Sequence, residues 1–133
     1  MDQTLSPEPT FKIGDVAERA GVSVDAIRFY ERAGLVTPVT RTASGYRLYD
    51  AHATQRVLDL KTLQAVGLTL EEIAAIFAQA GDAPVSCAHV SPHFDTVIDR
   101  LNAKIASLTQ LRDGTLAQAG RCRDGQCGRA HQH

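Results

Sequence analysis

Tryptophan is absent from this chain, and aromatic residues make up only 5% of it. Any hydrophobic core must therefore be built from aliphatic side chains. Cysteine is nearly as scarce. Three thiols are an odd number, which argues against a full disulfide framework, suits a reducing compartment and leaves metal or redox chemistry open. No apolar run reaches the roughly 18–20 residues needed to cross a bilayer. The opening stretch, Met1–Thr10, has neither the basic start nor the apolar centre of a signal peptide and reads as a loose tail. A cytoplasmic location without a membrane partner is expected. With 133 residues, there is room for one small domain and an appendage rather than two full domains.

A large net charge is missing as well, but the total of −1 hides an asymmetry. Between Arg28 and Arg47 stand four arginines (Arg28, Arg32, Arg41, Arg47) and one acid, Glu31. Between Thr69 and Asp99 stand five acids (Glu71, Glu72, Asp82, Asp95, Asp99) and no Lys or Arg. A local basic surface on a near-neutral chain suits nucleic acid better than a membrane, although a plain solvated charged face would look the same.

What the chain does contain is helical periodicity with clear punctuation. Ile13, Val16, Ala17 and Ala20 recur at i, i+3, i+4 and i+7, so the pattern predicts a helix over Lys12–Ala20, closed by Gly21. Ser23 is a good N-cap for a second helix, Val24–Ala33, which Gly34 closes. Two short helices joined by a tight turn form a helix-turn-helix signal. The segment from Leu35 to Tyr49 places β-branched and aromatic residues on both sides of Ser44-Gly45, which predicts a small hairpin, the wing of a winged helix-turn-helix. Asp50 caps a further helix running to about Val66, with Val57, Leu60 and Leu63 on one face. Thr69-Leu-Glu-Glu72 is a capping box, and Leu68 with Ile73 fits a hydrophobic staple. The helix it opens is expected to reach Ala80 and stop at Gly81. Ser91 to about Gln118 reads as one long helix ended by Gly120, with Phe94, Val97, Leu101, Ile105, Leu108, Leu111 and Thr115 or Leu116 as its stripe. So narrow a stripe needs a cover. A second copy of the chain is the simplest one; packing back on its own domain is the other.

These residues resemble the MerR family. The telling stretches are Ile13-Gly-Asp-Val-Ala, Gly21-Val-Ser-Val-Asp-Ala-Ile-Arg-Phe-Tyr-Glu31, Gly34-Leu-Val and Gly45-Tyr-Arg-Leu-Tyr49. The resemblance runs from about Phe11 to Cys122. It implies a mainly α fold: a tail (1–10), a winged helix-turn-helix DNA-binding domain (11–80), a long antiparallel coiled-coil dimerisation helix (81–119) and a metal-binding loop and tail (120–133). It implies a homodimer on double-stranded promoter DNA. Ligand binding would distort that DNA so that RNA polymerase engages two badly phased promoter elements, activating metal-resistance genes. It further implies DNA contacts from Arg28 and Tyr30 near the second helix and from Arg41, Ser44, Tyr46 and Arg47 in the wing. No enzymatic arrangement of Cys, His, Ser and acids is suggested.

The thiols fit the same picture. Cys122 and Cys127 flank a short segment with Gly125 and can converge on one ion. Cys87 stands 35 residues before Cys122, and some 30 helical residues span roughly 45 Å, so the two cannot meet within one chain. In an antiparallel dimer, Cys87 of one subunit can join Cys122 and Cys127 of the other, as the resemblance to the family's metal sensors implies. Thiolates select soft or borderline ions. Cadmium, zinc, lead and mercury are the candidates, with cadmium, zinc or lead ahead of mercury. Three thiolates alone suit mercury or lead, whereas zinc or cadmium wants a fourth ligand. His89 is the leading choice for it, with His131 and His133 behind; His52 and His93 read as surface residues. Three alternatives stay open: an inert Cys87, a monovalent copper-type sensor, and a thiol redox switch at Cys122 and Cys127. Family members with an iron–sulfur cluster carry four tail cysteines, and this chain has two there.

Overall fold

The computed structural model describes residues 9–125. The elements run β1 (Phe11–Lys12), α1 (Ile13–Ala20), α2 (Val24–Arg32), β2 (Thr40–Arg41), β3 (Arg47–Tyr49), α3 (Ala51–Ala65), α4 (Leu70–Ala80), α5 (Cys87–Val90), a 3-10 turn (Ser91–His93) and α6 (Phe94–Arg123). The chain divides into two compact units, with the boundary between Pro92 and His93.

Local signals set the helix ends of the first unit. The Ser23 hydroxyl accepts the amide of Ala26, and the Asp50 carboxylate accepts that of Ala53. Thr69 and Glu72 exchange both bonds of a capping box, at 3.1 and 2.9 Å, meeting two of the amides a helix start leaves free. Gly21 ends α1 at φ +70°, in the left-handed region, and Lys61 from α3 donates to the carbonyls of Ala20 and Gly21 there. The core gathers Val16, Ile27, Tyr49, Val57, Leu60, Ile73 and Ile76, all fully buried. These seven are aliphatic apart from Tyr49, and Tyr30 and Phe77 are the other buried aromatic side chains among the described residues.

The wing is a three-stranded sheet in the order β1-β3-β2, both pairings antiparallel. The sequence pattern predicts only the hairpin. β1 is an addition: Phe11 pairs with Tyr49 and Lys12 with Leu48, so the residues entering α1 are sewn onto the wing. Two residues carry no readable alternation of their own, and only the long-range pairing makes them a strand. Gly45 takes φ +89° at the hairpin tip.

The second unit departs from expectation at both ends. Its helix starts at Phe94 rather than Ser91: residues Ser91–His93 form a 3-10 turn between α5 and α6. Nor does Gly120 end it: α6 runs through Gly120 to Arg123. An interior glycine costs only about 1 kcal/mol, and Arg121 and Arg123 in the last turn favour its carbonyl end. The chain turns off at Gly125, with φ +80°. Cys122 is thus a helix residue, not a loop residue. Val97 is the one buried residue of α6. The exposed apolar row is instead Phe94, Ile98, Leu101, Ile105, Leu108, Leu111 and Leu116.

Candidate nucleic-acid interface and metal ligands

The second helix of the helix-turn-helix, α2, buries Ile27 and Tyr30 and exposes Asp25, Arg28 and Phe29. Arg28 is therefore free to reach outward; its nearest charge is the exposed Asp25, 3.5 Å away. Tyr30, expected to touch DNA, is buried instead, and its hydroxyl lies 3.2 Å from Oε1 of Gln64 on α3. Its place three residues after Ile27 puts it on the core face, so it packs α2 rather than presenting a ring to a ligand.

The wing residues Arg41, Ser44, Tyr46 and Arg47 are all exposed. Arg41 donates to the carbonyl of Gly45 at 3.0 Å and so braces the turn. Arg47 carries more than the sequence suggests. Its Nε donates to Oε2 of Glu31 at 2.6 Å, and the buried Tyr49 hydroxyl donates to Oε1 of the same carboxylate at 2.7 Å. One acid thereby clamps the wing to α2. Burial first, and then the Glu31 carboxylate, push the Tyr49 phenol above the ordinary tyrosine range, while Arg47 and Arg28 pull the other way. Arg28, Glu31, Arg32 and Arg47 line a concavity of about 210 Å³. Three guanidinium groups around one carboxylate leave a net positive hollow that can take a phosphate. Sequence reasoning passed over Glu31 and Tyr49. The signal was that Glu31 is the lone acid among four arginines.

Cys87 is the first residue of α5 and Cys122 lies in the last turn of α6; both are exposed free thiols. The side-chain amide of Gln118 approaches the Cys122 sulfur at 3.9 Å. Cys127, His131 and His133 lie outside the described residues. Among the described residues, no three His, Cys, Asp or Glu side chains gather into a metal cluster.

His89 does not sit as a fourth ligand should. Its Nδ1 accepts the Ser86 amide at 2.9 Å, with the Ser86 hydroxyl 3.0 Å away. An accepting Nδ1 carries no proton, so the neutral ring keeps its hydrogen on Nε2, the atom left to face a metal. A ligating histidine has the reverse arrangement, donating from one nitrogen and binding through the other. Two residues apart on a helix, Cys87 and His89 also point about 200° from one another. His89 caps α5.

A model of MerR helix-turn-helix family regulatory proteins matches residues 11–80, more than half of the chain, and a second, of the MerR DNA-binding region, matches residues 54–117. The chain belongs to the MerR family. This is a family of DNA-binding regulatory proteins, not enzymes. The chain is 30% identical over 112 residues to the mercuric resistance operon regulatory protein of Bacillus cereus, covering 84% of this chain and 85% of that one. It is 36% identical over 110 residues to the transcriptional regulator CueR of Yersinia pestis, covering 83% and 79%. Among solved structures it is similar to a transcription regulator of Ralstonia metallidurans in complex with lead(II), with a TM-score of 0.70 and 28% identity over 82% of this chain and 85% of that one. The mainly helical fold with a small wing and a long C-terminal helix is that of MerR regulators. No helix among the described residues is long and apolar enough to cross a membrane.

Proposed function

We propose that this MerR-family chain is a cytoplasmic, dimeric, metal-responsive transcription regulator. It holds promoter DNA with the arginine-lined face of α2 and the wing, and binds a divalent thiophilic ion through Cys87 of one subunit and Cys122 and Cys127 of the other. The observation that carries the reading is the heptad column of α6. Phe94, Leu101, Leu108, Thr115 and Cys122 are spaced seven apart, so in a supercoiled pair all five face the partner helix. Leu108 and Leu111 are 64% and 66% exposed in the single chain, and a second copy of α6 would bury them. Antiparallel pairing brings the Cys122 end of one helix to the start of the other, where Cys87 lies.

The donor set supports a soft ion. With His89 engaged in its cap, the ligands are three thiolates, which suits lead or mercury better than zinc or cadmium. The sequence alone puts cadmium, zinc or lead ahead of mercury and leaves the fourth ligand open, with His89 as its leading candidate; the cap moves the preference toward lead or mercury. The relatives include one named for mercuric resistance, one in complex with lead(II) and several CueR regulators, and the thiolate set is what favours lead or mercury here. Bound metal fixes one subunit's DNA-binding unit against the other's long helix. A geometry change there alters the spacing and twist of the two recognition helices on the promoter, and RNA polymerase reads the distorted site. Arg28, Arg41 and Arg47 supply phosphate contacts, with Ser44 and Tyr46 at the wing tip.

Promoter binding and in vitro transcription across lead, mercury, cadmium, zinc, copper(I) and no metal test the reading. The Cys87→Ser chain should keep its metal-free DNA affinity and lose activation by the divalent ions. Normal activation of that variant removes Cys87 from the site.

A further inference from the structure

Arg56 is a charged residue that neither DNA binding nor the thiol site uses, and it is only 5% exposed. A buried guanidinium is costly unless its hydrogens are matched. Here its acceptors belong to the segment between α4 and α5. Nη2 donates to the carbonyl oxygens of Gly81 at 2.6 Å and Ala83 at 3.0 Å, and lies 3.3 Å from Nε2 of His52. The guanidinium also stacks over the Phe77 ring, 4.6 Å from its centre. Gly81 takes φ +60° as the chain leaves α4, a turn side-chained residues rarely make. Beyond it come Pro84, the Ser86–His89 cap and Cys87. The segment is therefore fastened at its start by Arg56 and at its end by the buried Val90, with the thiol and the local cap of α5 between.

We propose that Arg56 is the positioning residue of the metal response: by holding residues 81–83 on α3, it fixes Cys87 rigidly to the DNA-binding unit. A metal ion captured by that thiol then acts on the helix behind the wing, instead of pulling on a slack strap. The link to metal rests on the proposed function; the fastening of the segment does not.

The test uses the full chain carrying Arg56→Met, or Arg56→Lys, which keeps a charge but lacks the planar fork that bridges two carbonyls and lies on a ring. In the metal-free protein, hydrogen exchange of amides 82–90 should quicken about tenfold in Arg56→Met and less in Arg56→Lys, while α1 and α2 stay protected. Lead(II) titration, followed by the thiolate-to-metal charge-transfer band, should show affinity about tenfold weaker in Arg56→Met, in the range seen when groups that orient metal ligands are lost. Metal-free promoter affinity should be unchanged. Unaltered exchange at 82–90, or a loss of protection spread evenly over α1 to α4, overturns the proposal. If Arg56→Met does not fold, Arg56→Lys decides it on the same measurements. If the unmodified chain gives no band with lead or mercury, the thiol-site reading falls, and the exchange comparison still decides what Arg56 holds.

Discussion

The two units of this chain solve the burial problem in opposite ways. The first closes on itself: α2, α3 and α4 start on side-chain caps, its core residues are buried, and its buried charge meets its own carbonyls. The second is a 30-residue helix with one buried residue and a row of exposed Leu, Ile and Phe. A helix with a narrow apolar stripe and nothing over it gains most of its stability from association. The first unit carries its own core, and the second leaves a row of apolar side chains on its surface.

The sharpest way to break that contrast is to charge the middle of the exposed row. Ile105→Asp should make the protein monomeric by analytical ultracentrifugation. Burying two unpaired carboxylates costs several kcal/mol, so promoter affinity should fall about a thousandfold. A dimer that survives with promoter affinity within threefold of the parent would mean that α6 does not use this row.

Within the self-sufficient unit, the Glu31 clamp should matter next. Tyr49→Phe removes a hydroxyl bonded to a carboxylate and should cost about 1–3 kcal/mol in urea unfolding. Its pH dependence is distinctive. The folded chain holds the Tyr49 proton above the ordinary range, so the unfolded chain releases it first once pH passes about 10. The unfolded state is then favoured, and stability is lost from that point upward. The parent's urea midpoint should drop as pH rises beyond about 10, and Tyr49→Phe should flatten the drop. Equal slopes would place the titration elsewhere. The smallest effect should come from Thr69→Ala, which removes one half of a capping box and should lower stability by about 1 kcal/mol with no change in DNA affinity.

Legibility followed the range of the interaction. Ser23, Asp50 and Thr69 act on amides three residues away, and each was readable as a cap in the sequence. The hairpin turn at Ser44-Gly45 was equally local. What escaped was set at a distance: β1, which exists only because Phe11 and Lys12 meet β3; Glu31, whose partners lie 16 and 18 residues on; and Arg56, whose acceptors are 25 and 27 residues away. Tyr30 is buried, on the core face that its spacing from Ile27 marks. Gly120 does not stop α6, since one glycine is a modest penalty in a long helix. At the candidate site, the three cysteines and the wing arginines were legible as residue types. That His89 caps its own short helix was not, because a His three residues after a Ser carries no familiar capping signature.

The uninterrupted passage of α6 through Gly120 makes that helix a ruler. One extra residue inserted between Leu108 and Cys122 would swing the thiol about 100° around the axis, and seven would restore its bearing while sliding it roughly 10 Å along. For the proposed metal site, residue count in this stretch therefore matters more than residue identity: an indel there would turn the Cys122 thiol to another bearing without altering a single atom of it.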